Sequence, residues 1–184
     1  MRKIKTQVEI DRGKRSKQIV VGVVMIGLLV VSTLGYSLMS GDSDESSKVQ
    51  ENGFDFFYSD GIWKINLEDQ VFGFQYLPSE VSHVETSGIF DLGDYVGKPL
   101  YFVNMNDGVS EVLNNIGRYV ERWQEACWEN SSCSGDLPTK SCDDNLIIFK
   151  SGNESSVVKN GSCVYIYGDG VAGADAFLYG VLHI

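Results

Sequence analysis

Histidine is scarce in this chain: His83 and His183 stand alone, far apart in the sequence. No Ser-His-Asp order and no metal-binding histidine pair can be built from them. The four cysteines form no C-x-x-C pair, which argues against a zinc site. No loop has the spacing of an EF-hand, and no internal repeat stands out. Residues 19–39 lack any Asp, Glu, Lys, Arg or His. Beyond residue 40 cations are few: residues 41–184 hold 23 acidic and 8 basic side chains. That imbalance argues against nucleic acid or an anionic surface as partner, since both would be repelled.

What is present is ordered along the chain. Seven cations lie within the first seventeen residues (Arg2, Lys3, Lys5, Arg12, Lys14, Arg15, Lys17). Ile19–Met39 then gives an apolar helix about 30 Å long, the thickness of a bilayer's hydrocarbon core. A basic head, an apolar span and an acidic body follow the positive-inside pattern, so the expected topology is N-terminus cytoplasmic and C-terminal body outside. Gly35-Tyr36-Ser37 resembles a signal-peptidase site, but the run is longer than a signal core and continues through Leu38-Met39, so an uncleaved anchor is expected. Gly22, Gly27 and Gly35 do not form a G-x-x-x-G dimerisation face. The expected division is a basic tail (1–17), a transmembrane helix (18–40), a flexible acidic linker (41–52) and an extracytoplasmic domain (53–184).

The domain opens with strand signals. Phe54–Tyr58 and Ile62–Leu67 flank Asp60-Gly61, a type I′ hairpin dipeptide. Val71–Tyr76 completes an antiparallel meander that Pro78 ends. Residues 79–98 are rich in loop signals, and Pro99–Val103 reads as a strand. From Val109, apolar residues at 109, 112, 113, 116, 120, 123 and 127 predict one long amphipathic helix. Asn145–Phe149 and Cys163–Tyr167 read as core strands, Val157-Val158 as a brief edge strand and Gly173–Leu182 as a closing helix. Strands first and helices late imply an α+β fold rather than a doubly wound sheet.

Four cysteines beyond the span imply two disulfides, with three connectivities open. Cys127–Cys133 and Cys142–Cys163 are expected. The second would staple two strands running parallel side by side. Asn130, Asn153 and Asn160 each head an N-x-S sequon and are glycosylation candidates. Gly168–Gly173 spells G-x-G-x-x-G, but Asp169 stands where a pyrophosphate would sit and only eleven residues follow. A glycine turn that lets a helix approach a strand is the reading adopted.

Glu121, Glu125 and Glu129 recur at helical spacing, and Asp143-Asp144 precede a strand. Such carboxylates could serve a hydrolase if their environments separated their pKa values. With Arg118 and Arg122 nearby, a solvated salt-bridged face is the preferred reading. Asp107, Asp143 and Asp169 sit near turns without a calcium-loop spacing. Trp123 and Trp128 flank Cys127 and are expected to pack on its disulfide. No cofactor or metal is expected.

The basic head, single span and Cys-stapled body, with the stretches FGFQYLPSEV, DLPTKSC, NLIIF, CVYIYG and ADAFLYGVL, resemble the small uncharacterised membrane-anchored proteins of archaeal genomes. The resemblance implies a place in the cell envelope and carries no activity. The expectation is a non-catalytic, membrane-tethered binding or structural module with an envelope protein as partner. An anchored carboxylate hydrolase and a pilin-like subunit are the alternatives.

Overall fold

The computed structural model describes residues 20–31, 47–129 and 136–184. The chain divides into two units, Met1–Glu45 and Ser46–Ile184. In the first, residues 20–31 form helix α1, with every side chain exposed. Among the described residues no helix is long and apolar enough to cross a membrane. The remainder of the expected 18–40 span lies outside the described residues, as do Asn130 and Cys133.

The second unit is α+β. Four strands, β1 (Lys48–Glu51), β2 (Phe54–Ser59), β3 (Ile62–Leu67) and β4 (Gln70–Phe74), form an antiparallel meander in that order. Two-residue turns join them: Asn52-Gly53, Asp60-Gly61 and Glu68-Asp69, all six residues having positive φ. That is the type I′ signature, whose twist matches that of the flanking strands. Strand β1 falls inside the segment 41–52 expected to be linker, so Lys48–Glu51 belongs to the folded unit instead.

The second sheet has six strands in the order β5-β11-β12-β10-β6-β7: β5 (Glu85–Ser87), β6 (Pro99–Val103), β7 (Arg122–Glu125), β10 (Asn145–Lys150), β11 (Ser156–Asn160) and β12 (Cys163–Tyr167). Its centre is parallel: β10 pairs in parallel with both β6 and β12. Strands buried on both faces need no polar alternation, which is why LYFV and LIIF are uninterrupted apolar runs. Strand β11 is not an edge strand as expected from Val157-Val158, because β5 covers its outer side. A short parallel pair, β8 (Cys127–Trp128) and β9 (Thr139–Lys140), completes the strands among the described residues.

The long helix expected from Val109 onward is the main correction. Helix α2 spans only Gly108–Ile116, and Gly117 caps it by donating to Leu113 O. The chain then turns back to β6: Gly97 N–H donates to Tyr119 O at 2.8 Å and Glu121 N–H to Lys98 O at 3.0 Å. Arg122–Glu125 consequently adds to the sheet as β7, in parallel register with Pro99–Phe102. Val120 and Trp123 continue the helical stripe by coincidence, while the glycine at 117 favours a break.

Helix α3 (Gly170–Leu182) is buried from Ala172 through Tyr179 and again at Val181. A helix apolar all round needs partners on both sides. Tyr179 packs against Phe56 and Phe74 of the meander, at ring centroids of 6.2 and 4.4 Å. On another side, a Cβ at Gly173 would lie 2.4 Å from Ile166 Cγ2 of β12, so only glycine permits that approach. The main core thus joins both sheets through α2 and α3. The opposite face of the larger sheet carries a smaller cluster around Tyr101, Leu146 and Ile148. There the Lys150 ammonium lies 4.7 Å from the Trp128 ring and 4.8 Å from that of Tyr165.

Candidate binding cleft

The meander's β4 edge is satisfied by side chains rather than by another strand. Arg118 Nη2 donates to Val71 O at 2.8 Å. Asn115 accepts from Gly73 N–H at 2.8 Å and donates to Gly73 O at 2.7 Å. Just past the strand, Asp175 Oδ2 accepts from Tyr76 N–H at 2.9 Å, and Tyr179 Oη donates to Tyr76 O at 2.5 Å. Two helices therefore hold one strand edge by its backbone.

This arrangement builds one wall of a cleft of about 690 Å³. Leu67 and Phe72 line it from the meander, Tyr119 from the turn after α2, and Val181 and Leu182 from α3. Its polar groups are Glu68, Gln70, Arg118 and His183. Arg118 stacks over Phe72 and Tyr119, at 5.1 and 5.6 Å from their centroids. The guanidinium donates to Gln70 Oε1, Val71 O and Asn115 O, all uncharged acceptors. Its positive charge is therefore not committed to a carboxylate by those bonds, and a guanidinium carries five N–H donors. At the rim His183 Nε2 lies 3.3 Å from Asp91 Oδ2. The Asp91 carboxyl is held below the usual range, first by the Gly93 N–H and then by His183. An apolar floor with a few convergent polar groups is the usual form of a ligand site. This one would accept an apolar group bearing an anionic or hydrogen-bond-accepting end.

Among the described residues Asp175 is the one fully buried acid. Burial pushes its pKa up to about 8; the Tyr76 N–H opposes the shift and the Glu111 charge adds to it. Burial also raises Glu111. Asp175 Oδ1 makes no close hydrogen bond among the described residues, though the Gln75 N–H is near enough to oppose the shift. A neutral carboxyl at moderate pH fits that setting.

The carboxylates singled out from sequence do not gather here. Glu121 lies in the turn before β7, Glu125 on β7 and Glu129 after β8; all three are exposed. Asp143 is exposed before β10, and Asp144 pairs with Lys140 at 3.1 Å. Asp107 precedes α2 without a side-chain cap bond, whereas Asp169 caps α3 by accepting from Val171 and Ala172 N–H. Among the described residues, no three His, Cys, Asp or Glu side chains could hold a metal ion. His83 is exposed with Nδ1 2.9 Å from Glu80 O, well away in role from His183. Trp123 packs on Phe102 at the sheet edge, and Trp128 on Tyr165.

Cys142 and Cys163 are bridged, with Cα atoms 4.9 Å apart. The bridge ties the approach to β10 to the start of β12, its parallel neighbour, as the spacing of the two strands implies. Cys127 is disulfide-bonded as well; Cys133, the partner expected for it, lies outside the described residues. Asn153 is exposed in the bend before β11, and Asn160 is exposed as the last residue of that strand. Sequence reasoning did not single out Asn115 or Asp175. The one available signal was an acid inside the otherwise apolar ADAFLYG.

No protein-family model, curated protein or solved structure matches the chain.

Proposed function

We propose that the chain is a membrane-tethered module of the cell envelope. Its acidic domain lies on the extracytoplasmic side and binds an envelope protein through the cleft at Arg118 and His183. In this reading Ile19–Met39 is the single-pass anchor and the basic tail stays in the cytoplasm. The observation that carries it is the Cys142–Cys163 bridge, because lasting structural disulfides belong to oxidising compartments. The order of basic head, apolar run and acidic body supports the same orientation. The exposure of Glu121, Glu125 and Asp143 on separate elements lends no support to a carboxylate hydrolase. The cleft's mainly apolar lining beside one arginine supports a binding role, with an apolar side chain seated on the floor and a carboxylate near the guanidinium.

The test is photo-crosslinking in intact cells from a reactive group placed at position 183, compared with one at position 125. A discrete product from position 183 that fades with Arg118→Gln supports the cleft. Equal products from both positions, indifferent to Arg118→Gln, would contradict it.

A further inference from the structure

We infer that Asn153 is an acceptor for an N-linked glycan and that the fold withholds Asn160, the other described sequon asparagine. The inference rests on the exported placement of the domain proposed above. Asn153-Glu154-Ser155 lies in the bend between β10 and β11, outside any helix or strand, and Ser151 through Glu154 are all exposed. A transferase must draw the sequon away from the protein surface to seat it. Here the sequon packs over Gly168 and is held by one side-chain hydrogen bond, the Ser155 hydroxyl accepting from the N–H of exposed Asp169 at 3.1 Å.

Asn160 is exposed too, but its sequon is built into the fold. It is the last residue of β11 and sits in register with Cys163. Two positions on, Ser162 N–H donates to Cys142 O at 3.3 Å, and Ser162 O accepts from Leu146 N–H at 3.2 Å. The next residue, Cys163, is fully buried and bridged to Cys142. Seating Asn160 would mean opening the β11–β12 hairpin and these bonds. Its modification therefore competes with closure of the bridge.

The donor class is a polyprenyl-phosphate-linked sugar. Asn153 Nδ2 attacks C1 of the sugar and the C1–O bond breaks. The electron pair leaves with the lipid phosphate, and the amide nitrogen passes one proton to a base of the transferase as the C1–N bond forms.

The test uses the full chain, expressed in a cell whose export pathway carries an N-oligosaccharyltransferase. It is purified from membranes with thiols blocked before reduction, then mapped by peptide mass spectrometry. The expected result is a sugar mass on the Asn153 peptide, several-fold more occupied than Asn160 and abolished by Asn153→Gln. Occupancy at Asn160 should rise in the Cys142→Ser/Cys163→Ser variant. A bare Asn153 in chains whose Cys142–Cys163 bridge is intact would overturn the site while leaving export standing. A bare Asn153 with free thiols would overturn both. Occupancy at Asn160 equal to that at Asn153 would overturn the selection between them.

Discussion

Asn115 and Gly73, 42 positions apart, exchange two hydrogen bonds, so that one helix side chain takes the place of a neighbouring strand. An amide carries one acceptor and one donor group at the separation a peptide unit presents, and asparagine can thus pair with both backbone groups of one residue. Asn115 is itself fully buried and its amide also donates to Glu111 O at 2.9 Å. The pairing both closes an open sheet edge, which would otherwise invite association, and joins α2 to the meander.

Replacing that amide should be costly. Asn115→Ala leaves the N–H and C=O of Gly73 without partners and is expected to destabilise by about 2–3 kcal/mol. Asn115→Asp keeps an acceptor but loses the donor and buries a charge, so it should not restore stability. Urea unfolding of the domain followed by tryptophan fluorescence measures both.

Glu68-Asp69 turns the chain with φ of 47° and 64° although neither residue is glycine. Side-chain crowding in left-handed backbone costs about 1–2 kcal/mol per residue, less for Asp. The pair Glu68→Asn/Asp69→Gly, which spells the preferred type I′ dipeptide, is expected to stabilise by about 1 kcal/mol. An unchanged or lowered urea midpoint would show that the turn is held by other means.

The buried acid gives the domain a pH dependence of definite sign. Asp175 titrates near 8 when folded and near 3.9 when unfolded. Below about pH 4 both states hold the proton, and the stability linked to this group is fully present. As pH rises toward 8 the unfolded chain ionises more readily, and stability falls by an amount on the order of several kcal/mol. Above 8 the loss levels off. Asp175→Asn keeps an acceptor for the Tyr76 N–H and has no proton to lose. Its unfolding free energy should vary less between pH 5 and 8, and it should exceed the parent's at pH 8. Parallel profiles for the two proteins would refute this assignment.

The bridge closes a loop of 21 residues in sequence separation. Loss of that constraint in Cys142→Ser/Cys163→Ser should cost about 3 kcal/mol in the chain-entropy model. Strands β10 and β12 remain paired along five positions, so the variant is expected to fold with a lower melting temperature. Calorimetry of the two proteins would show the difference.

These features differ in how far the sequence announces them. Alternation in Ile62–Leu67 and the Asp60-Gly61 dipeptide placed the meander, and the cysteine spacing placed β10 beside β12. Asn52-Gly53 carried an equally strong hairpin signal for β1, obscured by the polar composition before it. Residues 109–127 misled because Val120, Trp123 and Cys127 fit a helical period, whereas Trp123 is half exposed on β7, which pairs in parallel with β6, and Cys127 is buried on β8 beside β9. Local pattern cannot register a pairing with residues some twenty positions away. The cleft was not legible for the same reason: Phe72, Arg118 and Val181 come from three distant segments. Short polar side chains such as Asn115 look alike in sequence whether they face water or a strand edge.

The most direct test of the exported, tethered placement is thiol labelling of sealed cells with a membrane-impermeant maleimide, with and without an added impermeant reductant. Cys142, the less buried member of the bridge, is expected to label only after reduction, without permeabilising the cell. Labelling without reductant, and only once the membrane is opened, would put the domain in the cytoplasm with its thiols free and contradict the account.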